Sequence, residues 1–508
     1  MSDYEEFRYG IDELTPSLAL MLAHSKIKGV ITTEVRERVK NNQEAVRKIS
    51  RSDKLVYSVN TGFGSLCTTI ITRDEIGKLQ ENLLKSHSVG LGAPIDITIA
   101  KLILILKLHS LCKGFSGISL EVIDRIRWHI ESNWVPRIPE QGSVGASGDL
   151  APLAHCFLPL IGLGFLSQDG VNYQSSIDVL KENNIKPLSL GAKEGLALIN
   201  GTQFMCAFAV IISNNFHQCL DHADIIGAFS LEGYLGSPQP FEDELINLRP
   251  HEGAISVAKR VRVFLKNSQF VESHKECGRV QDPYSLRCIP QVHGASRDAL
   301  SHLDNVLKCE LNSVTDNPII IDENKTISGG NFHGQPLALP LDYVGLAASE
   351  LGNISDRRTF LLLEGKWGLP PYLMKTSGLN SGFMIAQYCS AALVSENKSF
   401  CFPASADSIP TSMGQEDHVS MGSISARKTL KIIENLEKIL AIELLCAAQA
   451  FDFRRPLKSS TALEECHEYY RTKIPHLDED VVLSDLIEDS IDILQSKELL
   501  RITEKYVN

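Results

Sequence analysis

The sequence predicts a mainly α protein, a large bundle of long helices preceded by a mixed, loop-rich amino-terminal part. Three observations carry this. Neither Gly nor Pro occurs from Ser423 to Arg455, and Leu430, Ile433, Leu436, Leu440, Leu444 and Ala447 recur at three- and four-residue intervals. A helix of that length is about 50 Å long. Residues 203–235 and 341–364 read as two more long helices, apolar on most sides as in the middle of a bundle. Strand-like alternation is scarce, with Pro318 to Ile321 the best short candidate. Pro and Gly cluster at 89–94, 135–148, 236–240, 328–340 and 365–378, where the chain is expected to turn.

The chain has 508 residues, too many for one ordinary core, so two or more domains or one large helical unit is expected. The division drawn is 1–200, the loop-rich part, and 201–508, the central and carboxy-terminal bundle. Long helices with wide apolar faces pack against other copies in symmetric assemblies, so a homo-oligomer is expected; a large monomer that buries everything itself is the alternative.

Hydrophobic residues make up 43% and charged residues 22%, the balance of a soluble globular protein. A net charge of -12 argues against a nucleic-acid surface. None of the 12 cysteines forms a C-x-x-C pair and most have apolar neighbours, the pattern of buried reduced thiols rather than of a disulfide frame or metal site. The start, MSDYEEFRYG, has no apolar signal segment, and the run Leu102 to Leu111 is interrupted by Lys107 and too short to span a membrane. The expected compartment is the cytoplasm, with no membrane partner and no metal.

The common catalytic loops are absent. There is no G-x-x-x-x-G-K-[ST] and no H-E-x-x-H. Gly62-Phe63-Gly64 and Gly90-Leu91-Gly92 lack the third glycine of a dinucleotide fingerprint, and Ser147 fails the G-x-S-x-G elbow because Asp149 follows two residues later. What remains is GSVGASGDL, residues 142–150. Its composition alone favours a flexible turn. The chemical alternative is self-processing. Attack of the Gly148 nitrogen on the Ala146 carbonyl carbon closes a five-membered ring, and loss of water turns Ser147 into a methylidene. Small residues on both sides suit that step, because Gly148 has no Cβ to block attack and accepts strained dihedral angles.

GSVGASGDLAPLAH, residues 142–155, resembles the signature of the aromatic amino-acid ammonia-lyase family, whose members carry a methylidene-imidazolone (MIO) made from Ala-Ser-Gly. The resemblance runs from about residue 10 to about 475. Its further motifs, in order, are VYSVNTGFG (56–64), LQENLLKSH (79–87), EGLALINGTQ (194–203), QDPYSLRC (281–288), TDNPII (315–320), GGNFHGQP (329–336) and GQEDHVSMG (414–422). It implies an aspartase/fumarase-like helical architecture, and an MIO formed autocatalytically from Ala146, Ser147 and Gly148 with no external cofactor. It also implies a homotetramer with sites shared between chains.

The implied reaction removes ammonia from an L-amino acid. An electrophile that captures the substrate and a base for the weakly acidic β-proton answer its two difficulties. The resemblance makes Tyr57 that base, its phenol pulled below the usual value of about 10; a buried, hydrogen-bonded Tyr is the plain alternative. It places Arg287 on the substrate carboxylate as a two-pronged donor, with Tyr284 three residues earlier on the same helical side and the amides of Gln281 and Asn200 nearby. A structural salt bridge is the alternative for Arg287.

His87 and Glu416 form a polar pair suited to an imidazole, where phenylalanine-type relatives are apolar. Phe332 is expected beside the substrate ring, with core packing as its alternative. Asp149 is expected to support the MIO or to cap the helix that follows it.

The resulting expectation is the histidine-specific branch, which converts L-histidine to urocanate and ammonia as the first step of histidine degradation. Two alternatives stay open: a tyrosine or phenylalanine lyase or aminomutase of the same family, and a silent helical assembly protein. Four residues depart from the family pattern. Ser58 replaces a common Gly, Met413-Gly414 a frequent Ala-Asn, and Gln335 a common Glu.

Overall fold

The computed structural model describes residues 6–52, 56, 57, 59, 61–64, 69, 71–275 and 278–507, without the side chain of Arg73; Ser58, Cys67 and Cys277 lie outside the described residues. Two compact units divide the chain. The first combines Met1–Ile211, Leu303–Asp342 and Pro403–Arg427; the second combines Ile212–His302, Tyr343–Phe402 and Lys428–Asn508.

The architecture is mainly helical, and all three long helices expected from the sequence are present: Gln203–Gly233, Gln335–Leu363 and Gly422–Asp452. The second starts six residues earlier than its spacing predicts, with Pro340 inside it. Proline lacks the N–H that closes a helical turn and marks a break in a sequence reading. Here it sits close to the helix start, where few intrahelical bonds are forfeited. The strand candidate is a short one, Ile319–Ile320, paired antiparallel with Thr326–Ile327.

The amino-terminal part holds more helix than its turn residues predict. Helices Thr33–Arg51, Ile97–Leu111 and Leu120–Ser132 start at Thr32, Asp96 and Ser119, whose side chains accept backbone N–H groups of the first turn. In Ile97–Leu111 every residue from Ile99 onward is buried, on all sides of the helix. That explains why the segment shows a continuous apolar run instead of a helical period. Lys101, Lys107 and His109 are buried in it as well. No helix among the described residues is long and apolar enough to cross a membrane. Most described cysteines are buried or partly buried, but Cys309 and Cys389 are exposed, because they lie on helix faces away from the core.

Elements of the first unit deliver the glycine-rich segment. Strand Leu91–Pro94 pairs antiparallel with Pro139–Gln141, which leads into Gly142. Helix Ile76–His87 ends at His87, and helix Leu150–Phe157 begins directly after Asp149.

The second unit is organised around buried charge. Arg358 and Glu443 are both fully buried and joined by two hydrogen bonds, Nε to Oε1 at 2.5 Å and Nη2 to Oε2 at 2.9 Å. Ser230 and Ser355 each donate to the same carboxylate at 2.6 Å. His293 continues the network, with Nδ1 2.9 Å from Asp224 and Nε2 3.2 Å from Arg358 Nη1. An arginine donates only, so Nε2 accepts and Nδ1 carries the proton toward Asp224. Burial holds His293 below the ordinary histidine range, consistent with that neutral tautomer.

Removing one partner of a buried pair leaves an uncompensated charge. Glu443→Ala is therefore expected to destabilise the protein by about 3–5 kcal/mol. Melting temperatures measured beside Glu443→Gln, which keeps the side-chain length and one of the two acceptor oxygens, check this. Equal melting temperatures for Glu443→Ala and the unsubstituted protein would refute it.

Candidate active site

The segment Gly142–Asp149 is shaped by positive backbone angles. Gly142, Gly145, Ser147 and Gly148 have φ of 125°, 87°, 48° and 86°. Three of these fall on glycine, where the left-handed region costs little. Ser147 is the exception, and a non-glycine residue there costs about 1–2 kcal/mol. The Gly148 N–H reaches the Gly145 carbonyl at 3.3 Å, closing a turn over Ala146 and Ser147.

The turn is held by a second segment, Asn200–Thr202. Gly201 N–H donates to the Ser147 carbonyl at 3.1 Å, and Asp149 N–H donates to the Gly201 carbonyl at 2.8 Å. The two glycines approach so closely that a Cβ on Gly148 would lie 2.1 Å from the Gly201 oxygen and 3.0 Å from the Phe332 carbonyl oxygen. A Cβ on Gly145 would meet Ser420 Oγ at 2.3 Å. On the far side Met421 N–H donates to Val144 O at 3.0 Å and Ser423 Oγ to Ser143 O at 2.7 Å.

Asp149 is fully buried and makes no capping bond to the helix that follows it. Its Oδ2 instead accepts the N–H groups of Phe204 and Met205 at 3.0 and 3.1 Å. It thus caps the long helix Gln203–Gly233, so the sequence reading had the right motif and the wrong helix. Its other oxygen, Oδ1, is buried without a hydrogen-bond partner. Burial pushes this carboxyl up to about 7 against the two N–H bonds. Lys107, also buried, donates to the Asn200 carbonyl at 2.6 Å, and burial pushes its ammonium down to about 8. Thr202 Oγ1 donates to Glu310 at 2.5 Å.

Other residues expected at the site lie in the same unit. A cavity of about 210 Å³ is lined by Ser86, His87, Val89, Ser143, Val144 and Ala146, among others. His87 Nδ1 lies 3.0 Å from Ser86 Oγ; burial lowers its pKa, with the Leu83 carbonyl and the Glu416 carboxylate opposing. Glu416 is half-buried and its Oε2 has no hydrogen-bond partner. A Cβ on Gly64 would lie 3.6 Å from its Oε1, and the Gly64 N–H donates to the Tyr57 hydroxyl at 3.0 Å. The Asn200 side chain is buried with Oδ1 unpartnered. Phe332 is half-buried, its carbonyl against Gly148.

Of the departures, Met413 and Gly414 are exposed, and Gln335 Nε2 donates to Ser405 O at 3.4 Å while Oε1 is buried without a partner.

Gln281, Tyr284 and Arg287 belong to the second unit. Gln281 is exposed, and on the short helix Tyr284–Arg287 the guanidinium stacks over the Tyr284 ring at 4.4 Å. Arg287 Nε has no hydrogen-bond partner. The segment is anchored by Asp282, which accepts the Ser237 N–H at 2.5 Å and pairs with Arg279 at 3.2 Å.

Residues 14–472 match the sequence pattern of aromatic amino acid lyases. The chain belongs to that family. A histidine ammonia-lyase of Natranaerobius thermophilus is 45% identical over 480 residues, 94% of each chain. Among solved structures, the histidine ammonia-lyase of Trypanosoma cruzi has a TM-score of 0.91 at 39% identity, covering 99% of this chain and 96% of that one. The tyrosine aminomutase of Streptomyces globisporus has a TM-score of 0.92 at 35% identity, covering 98% of each. The family's fold thus serves more than one substrate, so the fold by itself does not assign one.

Lys107 and the Thr202–Glu310 pair were not picked out from the sequence as parts of this site. The one available signal was a lysine inside the apolar run Leu102–Leu111.

The carboxyl of Asp149 yields a pH prediction. Its native pKa is raised from the ordinary value of 3.8 to about 7, so the native state keeps a proton that the unfolded chain has lost. This contribution is fully present below the ordinary carboxyl value and is lost as pH rises toward 7. Asp149→Asn removes the titration and keeps an acceptor for the helix end. Its stability is expected to fall less between pH 4 and 7 than that of the unsubstituted protein, in denaturant titrations across that range. Parallel curves would contradict the assignment.

Proposed function

We propose that the protein is a cytoplasmic histidine ammonia-lyase. It removes ammonia from L-histidine, without oxidation, to give urocanate. The observation that carries the substrate assignment is the polar pair His87 and Glu416 in the unit that holds Ala146-Ser147-Gly148. It stands beside near-full-length similarity to histidine ammonia-lyases. The fold shared with a tyrosine aminomutase does not separate substrates, whereas an imidazole-binding pair does.

The residues present fit an MIO. A turn closed from Gly148 N–H to the Gly145 carbonyl spans Ala146 and Ser147, and the cradle against Gly201 leaves no room for a Cβ on Gly148. Asn200, buried in the same unit with its Oδ1 unpartnered, carries the amide whose N–H groups would hold the ring carbonyl oxygen. Ala146, Ser147 and Gly148 would form the group, which supplies a carbon electrophile that no standard side chain has.

The chain's own residues do the rest. Arg287 holds the substrate carboxylate with parallel N–H groups, supported by Gln281 and Tyr284. Glu416 and His87 orient the imidazole, which offers one donor and one acceptor in its neutral form. The β-proton goes to the Tyr57 oxygen, and a donor on that oxygen favours its anionic form, as the Gly64 N–H does at 3.0 Å. Phe332 lies against the substrate ring, and Asp149 keeps the turn fixed to the helix end.

The working form is a homotetramer with sites built from several chains. Support comes from helix Gln335–Leu363, where Tyr343, Leu346 and Phe360 are about half exposed along one stripe, and from Ile385 and Tyr388 on helix Met384–Phe400, exposed by 58% and 60%. These exposed apolar side chains are the surface a second copy of the chain would cover.

Ser147→Ala is expected to assemble normally, to have the mass of the unmodified chain, and to be almost inactive. Near-normal activity in that variant removes the electrophile from the account. His87→Leu and Glu416→Gln are each expected to lower kcat/KM for histidine at least tenfold, about the worth of one lost polar contact to substrate. Unchanged kcat/KM in both would overturn the substrate assignment while leaving the lyase reading standing.

A further inference from the structure

Lys107 is a charge without a role in the reaction as described. It is 2% exposed in helix Ile97–Leu111, between Leu106 and Leu108 in a run of leucine and isoleucine. A lysine there costs several kcal/mol of desolvation unless its charge is used or compensated. Asp316 and Asp149 act on it favourably and Lys193 unfavourably; Lys193 is itself paired with Asp316 at 2.5 Å. The Lys107 hydrogen bond goes to the carbonyl oxygen of Asn200, at 2.6 Å.

That carbonyl belongs to the same peptide group as the Gly201 N–H, and Gly201 N–H donates to the Ser147 carbonyl at 3.1 Å. The bonds form a chain: ammonium, Asn200–Gly201 peptide, Ser147 carbonyl. A charge at its head polarises the peptide and strengthens the bond at its end.

The Ser147 carbonyl is where polarisation matters. Ring closure joins the Gly148 nitrogen to the Ala146 carbonyl carbon. One water leaves with the Ala146 oxygen and the protons of the Gly148 and Ser147 nitrogens. A second leaves with the Ser147 hydroxyl and the Ser147 α-proton, and no oxidant is needed. The Ser147 carbonyl survives as the ring's carbonyl group, conjugated to the methylidene carbon. Withdrawing electrons from that oxygen acidifies the adjacent Gly148 N–H before closure and makes the methylidene carbon more electrophilic afterwards.

We propose that Lys107 is a positioning and polarising residue for the electrophile, acting through the Asn200–Gly201 peptide on the Ser147 carbonyl. The inference rests on the lyase reading above. It gives Asn200 two separate duties: its side-chain amide serves the site and its backbone carbonyl relays a charge. Burial lowers the ammonium only to about 8, so it stays mostly charged at neutral pH.

The test combines intact mass with kinetics on the full-length assembly. The unsubstituted protein is expected to be lighter than its sequence by two waters; an unmodified mass there overturns the lyase reading itself. Lys107→Met keeps the apolar length and removes the charge. It is expected to show a reduced fraction of the dehydrated mass and, per dehydrated chain, a kcat lowered on the order of tenfold with KM little changed. That is less than the 10²–10³ lost with a direct donor to a reacting oxygen. Lys107→Arg is expected to restore both.

If Lys107→Met does not fold, Lys107→Gln, which keeps a neutral donor, is expected to fall between. Full dehydration with kcat per chain within twofold of normal, in whichever of Lys107→Met and Lys107→Gln folds, overturns the proposal.

Discussion

The structure of the site depends on one close approach, the contact of Gly148 with Gly201. No side chain fits between them, since a Cβ on Gly148 would fall 2.1 Å from the Gly201 oxygen. From that contact follow the two backbone hydrogen bonds that hold Ser147 and Asp149, and the left-handed backbone forced on Ser147. Asp149 carries the constraint outward, because its carboxyl ties the turn to the start of helix Gln203–Gly233. The turn is thus built from backbone, with its small residues required by distance. A side chain in the same place would hold it open.

Buried polar groups surround that turn at a cost to stability. Asp149 Oδ1, Asn200 Oδ1 and Glu416 Oε2 are left without partners in the first unit, each forfeiting about 1–3 kcal/mol. The buried pairs of the second unit are different. Arg358 and Glu443 use their bonding capacity on each other and on Ser230 and Ser355, which suits a structural role.

The long helices were legible because one repeats an apolar stripe without Gly or Pro from Ser423 to Arg455 and the other two are apolar on most sides for six turns or more. The helix through Pro340 was legible only in part, since proline reads as a break wherever it stands. The first two hundred residues misled in the opposite direction. Helix Ile97–Leu111 is buried all round, so it has no period to detect, and the Gly and Pro between helices looked like loops. Motif residues were legible one by one, but their partners were not. Asp149 sits correctly placed before a helix, yet it caps another one fifty residues on, a connection made only by folding. Lys107 stood out as a flaw in an apolar run, and nothing local in sequence shows that it reaches Asn200.

Direct turnover of the natural substrate tests the account most sharply. L-histidine added to the purified protein should yield a near-ultraviolet-absorbing α,β-unsaturated acid and ammonia in equal amounts, with phenylalanine and tyrosine turned over far more slowly. Ammonia released from phenylalanine or tyrosine but not from histidine would contradict the substrate assignment, and none released from any of the three would contradict the account as a whole.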